Sequence, residues 1–278
     1  FCFSLAYEYR ISNLSDYAWI TWILCFIADD LTYYWFHRIS HQVRFLWASH
    51  MVHHSAEHLS LSAAFRQPWT SHISGTFLFW IWMPFLGFTP AMVIFMKSVN
   101  VIYQFGLHTE MIRRLPGWIE FIFNTPAHHR VHHASNLEYL DKNHGGVLII
   151  WDRLFGTYQP EIKKPIYGLT KNIPSQNPIV ITFYEWRKIY KDLSSAKGWR
   201  ECFHYLFNVP GWSVKTLSNN GRLSLFNCTK AGKTNDPGCK KCKGCTFVGK
   251  DLDSLNTAPS HLQLNTPGSG VQSNFSRD

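Results

Sequence analysis

Histidine dominates the chemistry available to this chain. Of fifteen histidines, six fall between His37 and His58, and four of the six residues from His128 to His133 are histidine. His37 and His41 are four residues apart, His50, His53 and His54 stand at i, i+3 and i+4, and His129, His132 and His133 repeat that spacing. On a helix, such separations share one face, with side chains about 5–6 Å apart. Three segments therefore each present a fan of imidazoles, the commonest metal-ligating side chain. Eight such ligands exceed what one tetrahedral ion needs and suit two ions with open positions. His108, one turn beyond Gln104, is a ninth candidate, and His128 makes a further i,i+4 pair with His132. His58, His72, His144, His204 and His261 stand outside the fans and read as ordinary polar residues.

Absent motifs narrow the chemistry. Carboxylate-bridged di-iron bundles pair two Glu-x-x-His helices, and the one match, Glu201 to His204, is solitary. There is no His-Glu-x-x-His, no Gly-x-Ser-x-Gly elbow and no phosphate loop, so hydrolytic zinc, acyl-transfer and nucleotide chemistry lack support. Ligand type alone leaves iron, zinc, copper and nickel open.

The elements that must position these fans are apolar. Tyr17 to Ala28 is a run of twelve mostly apolar residues before Asp29 and Asp30. It reads either as the inner part of a spanning helix or as a buried helix that emerges near Asp29. Ile73–Leu86 and Pro90–Leu107 flank a turn-like Gly87-Phe88-Thr89-Pro90 and read as a helical hairpin embedded in a membrane, with arms of about 21 and 27 Å. Lys97 on the second arm must then snorkel or face protein. Residues 124–158 change to a histidine-rich helix, a polar loop and an apolar run, Val147 to Trp151, that periodicity leaves as strand or helix. A proline-rich connector covers 160–185, and a helix is expected over Phe183 to Leu193.

The chain has 278 residues, and 42 of its 45 aromatics precede residue 213. This predicts two regions: a folded domain, 1–212, and a polar, disordered tail, 213–278, whose Cys239, Cys242 and Cys245 are spaced as a possible soft-metal site. The tail holds nine basic and four acidic residues, so only +4 of the net +9 charge belongs to the folded part. That surplus suits a membrane surface and no nucleic acid partner. The scattered Cys2, Cys25 and Cys202 suit a reducing compartment. The chain begins at Phe1 and is expected to be N-terminally incomplete.

Several motifs in order carry a resemblance: YYWFHRISH (33–41), WASHMVHH (47–54), QFGLHTE (104–110), FNTPAHHRVHH (123–133) and DKNHGGVLIIWDRLFGTY (141–158). They resemble the fatty acid hydroxylase/sterol desaturase superfamily, and within it most closely the branch that oxidises ether lipids (alkylglycerols). The resemblance implies an all-α, multi-pass endoplasmic reticulum membrane enzyme with a cytosol-facing, histidine-rich di-iron centre, a lipid substrate drawn from the bilayer and tetrahydrobiopterin as reductant. It implies metal ligation by His37, His41, His50, His53, His54, His129, His132 and His133, to which the reading above adds His108. Gln42 stands where the family commonly has Glu, a plausible pterin or ligand-orienting partner, and His144 stands where the family has Tyr. Further residues expected to orient the imidazoles are Asp30, Gln104, Glu110, Asn124, Asp141 and Asn143; Asp30, seven residues before His37, shares its helix face. The alternatives are a sterol or fatty-acyl hydroxylase or desaturase fed by an electron-donor haem cytochrome, and a catalytically silent metal-binding membrane protein.

Overall fold

The computed structural model describes residues 1–213; the tail expected from residue 213, with its spaced cysteines, lies outside them apart from Ser213. Among the described residues there are ten α-helices and no strand: α1 (Cys2–Glu8), α2 (Trp19–Gln42), α3 (Arg44–His54), α4 (Trp82–Leu86), α5 (Pro90–Leu107), α6 (Gly117–Ile122), α7 (Pro126–His132), α8 (Ile150–Phe155), α9 (Pro178–Ser195) and α10 (Trp199–Phe207). Only two isolated antiparallel bridges, Phe123 with Leu148 and Ala134 with Tyr167, interrupt the helical pattern.

Helix α2 is the spine. Its 24 residues rise about 36 Å, and it packs against α3, α5 and α8. It does not emerge at Asp29. Both aspartates are buried and satisfied: Trp80 Nε1 donates to Asp29 at 2.7 Å, and Asn100 Nδ2 donates to Asp29 and Asp30 at 3.1 and 3.2 Å. Burying a carboxylate without such partners is costly, so these bonds let the helix continue through the pair. Below them Cys25, Trp80, Met83, Phe88, Met92 and Val93 form the core between α2, α4 and α5.

The second hairpin arm is one 18-residue helix, α5, opened by Thr89, whose hydroxyl caps Met92 N–H, and by Pro90 at its first position. By length and composition it suffices to cross a membrane. The first arm does not form a matching helix. Ser74 and Thr76 hydroxyls bond back to the carbonyls of Thr70 and Ser71, Gly75 adopts a left-handed conformation, and only a 3-10 turn (Thr76–Trp80) and the short α4 follow. These local side-chain bonds compete with helical ones. Outward apolar side chains, Ile20, Ile23, Leu24 and Ile27 on α2 and Ile94, Phe95, Val101 and Ile102 on α5, form an exposed belt.

Of the apolar run Val147 to Trp151, Ile150 and Trp151 open α8, while Leu148 makes only an isolated bridge and no strand forms among the described residues. Helix α9 starts at Pro178, five residues earlier than expected, because Asn177 caps it through the N–H groups of Ile179 and Val180. It packs on α3, with Met51, Val52, Ile173 and Ile181 in contact. The buried Arg44 of α3 pairs with Glu185 at 2.8 Å and Asp192 at 2.6 Å of α9.

Candidate metal centre

All nine histidines singled out above converge at one end of this frame. They divide into two groups whose ligating atoms lie within 4.8 Å of one another: His37, His41, His50, His54 and His132, and His53, His108, His129 and His133. Helix α2 serves the first group, and the end of α5 serves the second. Helices α3 and α7 serve both, because His53 points about 100° away from its neighbour His54 around the helix.

The first group has a definite shape. Ring centroids of His37, His50, His54 and His132 form a closed four-membered circuit with sides of 4.7, 4.8, 4.7 and 4.3 Å. His41 caps it, 5.3, 4.9, 4.7 and 5.0 Å from those rings. Along the circuit, Nε2 atoms approach at 3.0 Å (His37 to His50), 3.1 Å (His50 to His54) and 3.1 Å (His54 to His132). In the second group the Nε2 atoms of His53, His108, His129 and His133 follow one another at 3.2, 3.1 and 3.1 Å.

Protons cannot account for all the contacts of the first group. His37 Nδ1–H donates to the His144 carbonyl at 2.9 Å, and His132 Nδ1–H donates to the Lys142 carbonyl at 2.9 Å. Both rings, being neutral, present Nε2 as a bare lone pair. Three contacts then remain for the protons of His50 and His54, and at least one of the three is unsatisfied however they are placed. In the second group His108 is fixed the same way, its Nδ1–H on the Gln104 carbonyl at 2.8 Å. A cation at the centre of the first group removes the conflict, and the second group presents the same close Nε2 spacing. Metal–nitrogen bonds of about 2.0–2.1 Å at right angles span an edge near 3.0 Å. The donor set therefore fits a divalent transition metal in each group.

Burial keeps the imidazoles in the ligating form. Desolvation pushes His132 down to about 4, with the His108 ring adding to it, and His53 down to about 3, with His108 and His132 contributing. Neutral rings in a shell of backbone carbonyls supply lone pairs without charge.

Of the residues expected to orient the imidazoles, Gln104 does so through its carbonyl, and Asp141 faces His41 Nδ1 at 3.3 Å from a left-handed backbone position. Asn124 acts at one remove: its amide donates to Gly145 and Gly146 carbonyls at 2.6 and 3.2 Å and so fixes the loop that carries His144. Asn143 ties that loop to the carbonyls of His128 and Gln159 at 3.1 and 2.8 Å. Three expectations are corrected. Asp30 touches no imidazole, because its oxygens are taken by Val147 N–H at 2.7 Å, Leu148 N–H at 3.0 Å and Trp151 Nε1 at 2.9 Å. Glu110 accepts from the Tyr167 hydroxyl at 2.9 Å. Gln42, at the end of α2, is exposed and makes no hydrogen bond.

His144, read as an ordinary polar residue, belongs to the centre instead. It is fully buried, its ring is 5.0 Å from that of His41 and 5.6 Å from those of His37 and His132, and its ring nitrogens have no hydrogen-bond partner. Its backbone is held by Asp152, whose carboxylate accepts His144 N–H and Gly145 N–H at 2.7 Å each and the Thr157 hydroxyl at 2.6 Å. His128 turns away from His132 and caps α7, its Nδ1 3.3 Å from Thr125 N–H.

Comparison with known proteins follows the same residues. The fatty acid hydroxylase family model matches residues 22–157, which include every histidine of both groups. The chain is 42% identical over 208 residues to human alkylglycerol monooxygenase, covering 74% of this chain and 45% of that protein. It is 41% identical over 224 residues to the zebrafish (Danio rerio) alkylglycerol monooxygenase, covering 80% and 49%. It is 29% identical over 153 residues to the ornithine lipid hydroxylase OlsE of Rhizobium tropici, covering 54% and 46%. The chain thus spans about half the length of these relatives, and no solved structure gives a significant match. On the family model and this identity, residues 22–157 are a fatty acid hydroxylase domain.

Proposed function

We propose that this chain is the metal-binding part of an iron-dependent monooxygenase that hydroxylates ether lipids of the alkylglycerol type on the carbon next to the ether oxygen. The hemiacetal so formed collapses to a fatty aldehyde and a glycerol derivative. The observation that carries the proposal is the pair of imidazole groups with closely approaching Nε2 atoms, in a chain 42% identical to an alkylglycerol monooxygenase.

His37, His41, His50, His54 and His132 would hold one iron, and His53, His108, His129 and His133 the other. Bound iron supplies the redox capacity that inserting oxygen into a C–H bond requires and that zinc lacks. The protein's own part is orientation and exclusion of water. Carbonyls of His144, Lys142 and Gln104 hold the Nδ1 protons of His37, His132 and His108 and direct each Nε2 inward. Seven of the nine residues are buried and the other two, His50 and His53, are half-buried, so the metal ligands are shielded from competing solvent.

Tetrahydrobiopterin is proposed as reductant on relationship alone, since Gln42 is exposed and no residue is assigned to it. A membrane placement is supported by the length of α5 and the exposed apolar belt on α2 and α5; the multi-pass position in the endoplasmic reticulum, with the centre facing the cytosol, is proposed on relationship alone. The substrate's alkyl chain would then enter from the bilayer.

The test is product analysis with the iron-loaded chain, an alkylglycerol and a fatty-acyl or sterol substrate side by side, with and without pterin. Pterin-dependent release of fatty aldehyde is the expected result. A folded sample with two irons per chain that releases none overturns the proposal. Turnover driven by a haem cytochrome and indifferent to pterin would instead assign a hydroxylase or desaturase with an electron-donor protein.

A further inference from the structure

Beyond the two imidazole groups, a second feature begins where the membrane-length helix ends. A cleft of about 610 Å³ is lined by Arg113, Arg114, Arg130, Lys163 and Lys164 against Glu110 and Glu161. Some of that charge is already committed. Arg130 is paired with Glu161 at 2.7 Å, and Lys163 with Glu138 at 2.8 Å. Arg113 and Lys164 are exposed, and neither side chain has a hydrogen bond or ion pair. Arg114 spends one N–H on the Glu161 carbonyl at 2.7 Å and keeps the rest. Three cations thus face the cleft, opposed by Glu110 alone.

Location selects among anions. Arg113 and Arg114 follow the last residue of α5, Leu107, by six and seven residues, so the chain can carry them no further than roughly 25 Å from that helix end. The same segments bear apolar side chains that are largely exposed among the described residues: Met111 is 92% exposed, Ile162 71%, Trp118 67% and Phe121 60%. Basic groups between exposed aromatic and aliphatic ones, next to the end of a membrane-length helix, are the composition of a surface that meets lipid headgroups. A soluble anion would be served by the cations alone and would leave this apolar rim in water.

We propose that the cleft binds the phosphate of an anionic phospholipid, with Arg113, Arg114 and Lys164 as its cationic contacts and Met111, Trp118, Phe121 and Ile162 set among the acyl chains beside it. The site is separate from the imidazole groups and does not depend on the reaction proposed for them. It fixes how the cap around the metal centre sits on the bilayer, and so makes the protein sensitive to the charge of its leaflet.

The test uses the full chain in neutral detergent, with its melting temperature followed during titration with short-chain phosphatidylserine, phosphatidylcholine or inorganic phosphate. Phosphatidylserine should raise the melting temperature saturably at concentrations where the other two do not. Raising the salt should weaken this binding. The double variant Arg113→Gln with Lys164→Gln should weaken it about 25-fold, at roughly fivefold per basic residue, whereas Arg113→Lys with Lys164→Arg should retain it. An equal response to phosphatidylcholine, or an unchanged response in the glutamine variant, overturns the site. An equal response to inorganic phosphate overturns its assignment to lipid. If the glutamine variant does not fold, the salt series and the charge-retaining variant on folded protein decide the question.

Discussion

His37 of α2 and His144 of the loop before α8 are joined by one hydrogen bond, from the imidazole Nδ1–H to the backbone carbonyl at 2.9 Å. It sets the His37 tautomer, aims Nε2 at His50, and makes a metal-ligand candidate on one element depend on the backbone of another. That backbone is itself held by Asp152, which takes both the His144 and Gly145 N–H groups.

This chain of bonds separates what the His144 backbone does from what its side chain does. Asp152→Ala removes the acceptor of two buried N–H groups and one hydroxyl, frees the carbonyl on His37, and should lower metal affinity about 10- to 100-fold, as loss of a ligand's orienting partner does. His144→Phe keeps the carbonyl and removes two ring nitrogens that have no partner, so metal content should stay near that of the parent. Metal analysis after dialysis against a graded chelator series checks both. Equal loss in the two variants would mean that the imidazole of His144 itself acts on the metal.

Ligand substitution should divide the histidines sharply. His132→Ala or His53→Ala should remove metal and activity together, while His204→Ala, on the exposed face of α10, should remove neither. Because His132 and His53 belong to different groups, each single variant is expected to retain more of one ion than of the other. Metal stoichiometry per chain is the measurement, and a full complement in His132→Ala would defeat its placement as a ligand.

The fans were readable in the sequence because i,i+3 and i,i+4 spacing fixes a helix face before any tertiary contact forms. Their division was not, since which group His53 or His54 joins depends on where α2, α5 and α7 meet α3. His144 carried no periodic signal. It lies in a loop shaped by left-handed Asp141 and Asn143 and by Asp152 from the next helix, all of which act through space rather than through spacing. The first hairpin arm misled for a related reason: its apolar content suits a helix, while Ser74 and Thr76 hydroxyls satisfy the backbone otherwise.

Acid should destabilise the metal-free protein over a defined window. His132 and His53 are held down at about 4 and about 3, against an unfolded value near 6.5. The unfolded chain therefore binds more protons between these limits, and stability rises with pH there. The contribution of each neutral ring is complete above about pH 6.5 and declines by about 1.4 kcal/mol per pH unit below it, down to the folded value. Melting temperature of the metal-free chain should fall steadily from pH 7 to pH 5. A flat profile would show that these rings are not buried neutral in the metal-free state.

Gly146 tests the link between the buried aspartates of α2 and the metal centre. A Cβ at this position would lie 2.5 Å from Asn100 Oδ1 and 2.8 Å from Asp30 Oδ1. Asn100 in turn accepts the Gln104 amide at 2.7 Å, and Gln104 holds His108 through its carbonyl. Gly146→Ala must therefore push on α2 and α5 at once, where all the nearby groups are buried and hydrogen-bonded, and overpacking of that kind costs about 1–3 kcal/mol. The strain reaches the second imidazole group along α5, and it reaches the first through the loop itself, since Gly146 lies two residues from His144, whose carbonyl holds His37. Gly146→Ala should thus lower the melting temperature and weaken metal retention in both groups. Gly156→Ala serves as the comparison: a Cβ there meets no atom within 4 Å, although its left-handed backbone carries a strain of its own. Equal metal retention in the two variants, with Gly146→Ala as stable as the parent, would show that the aspartate network yields freely and does not position the centre.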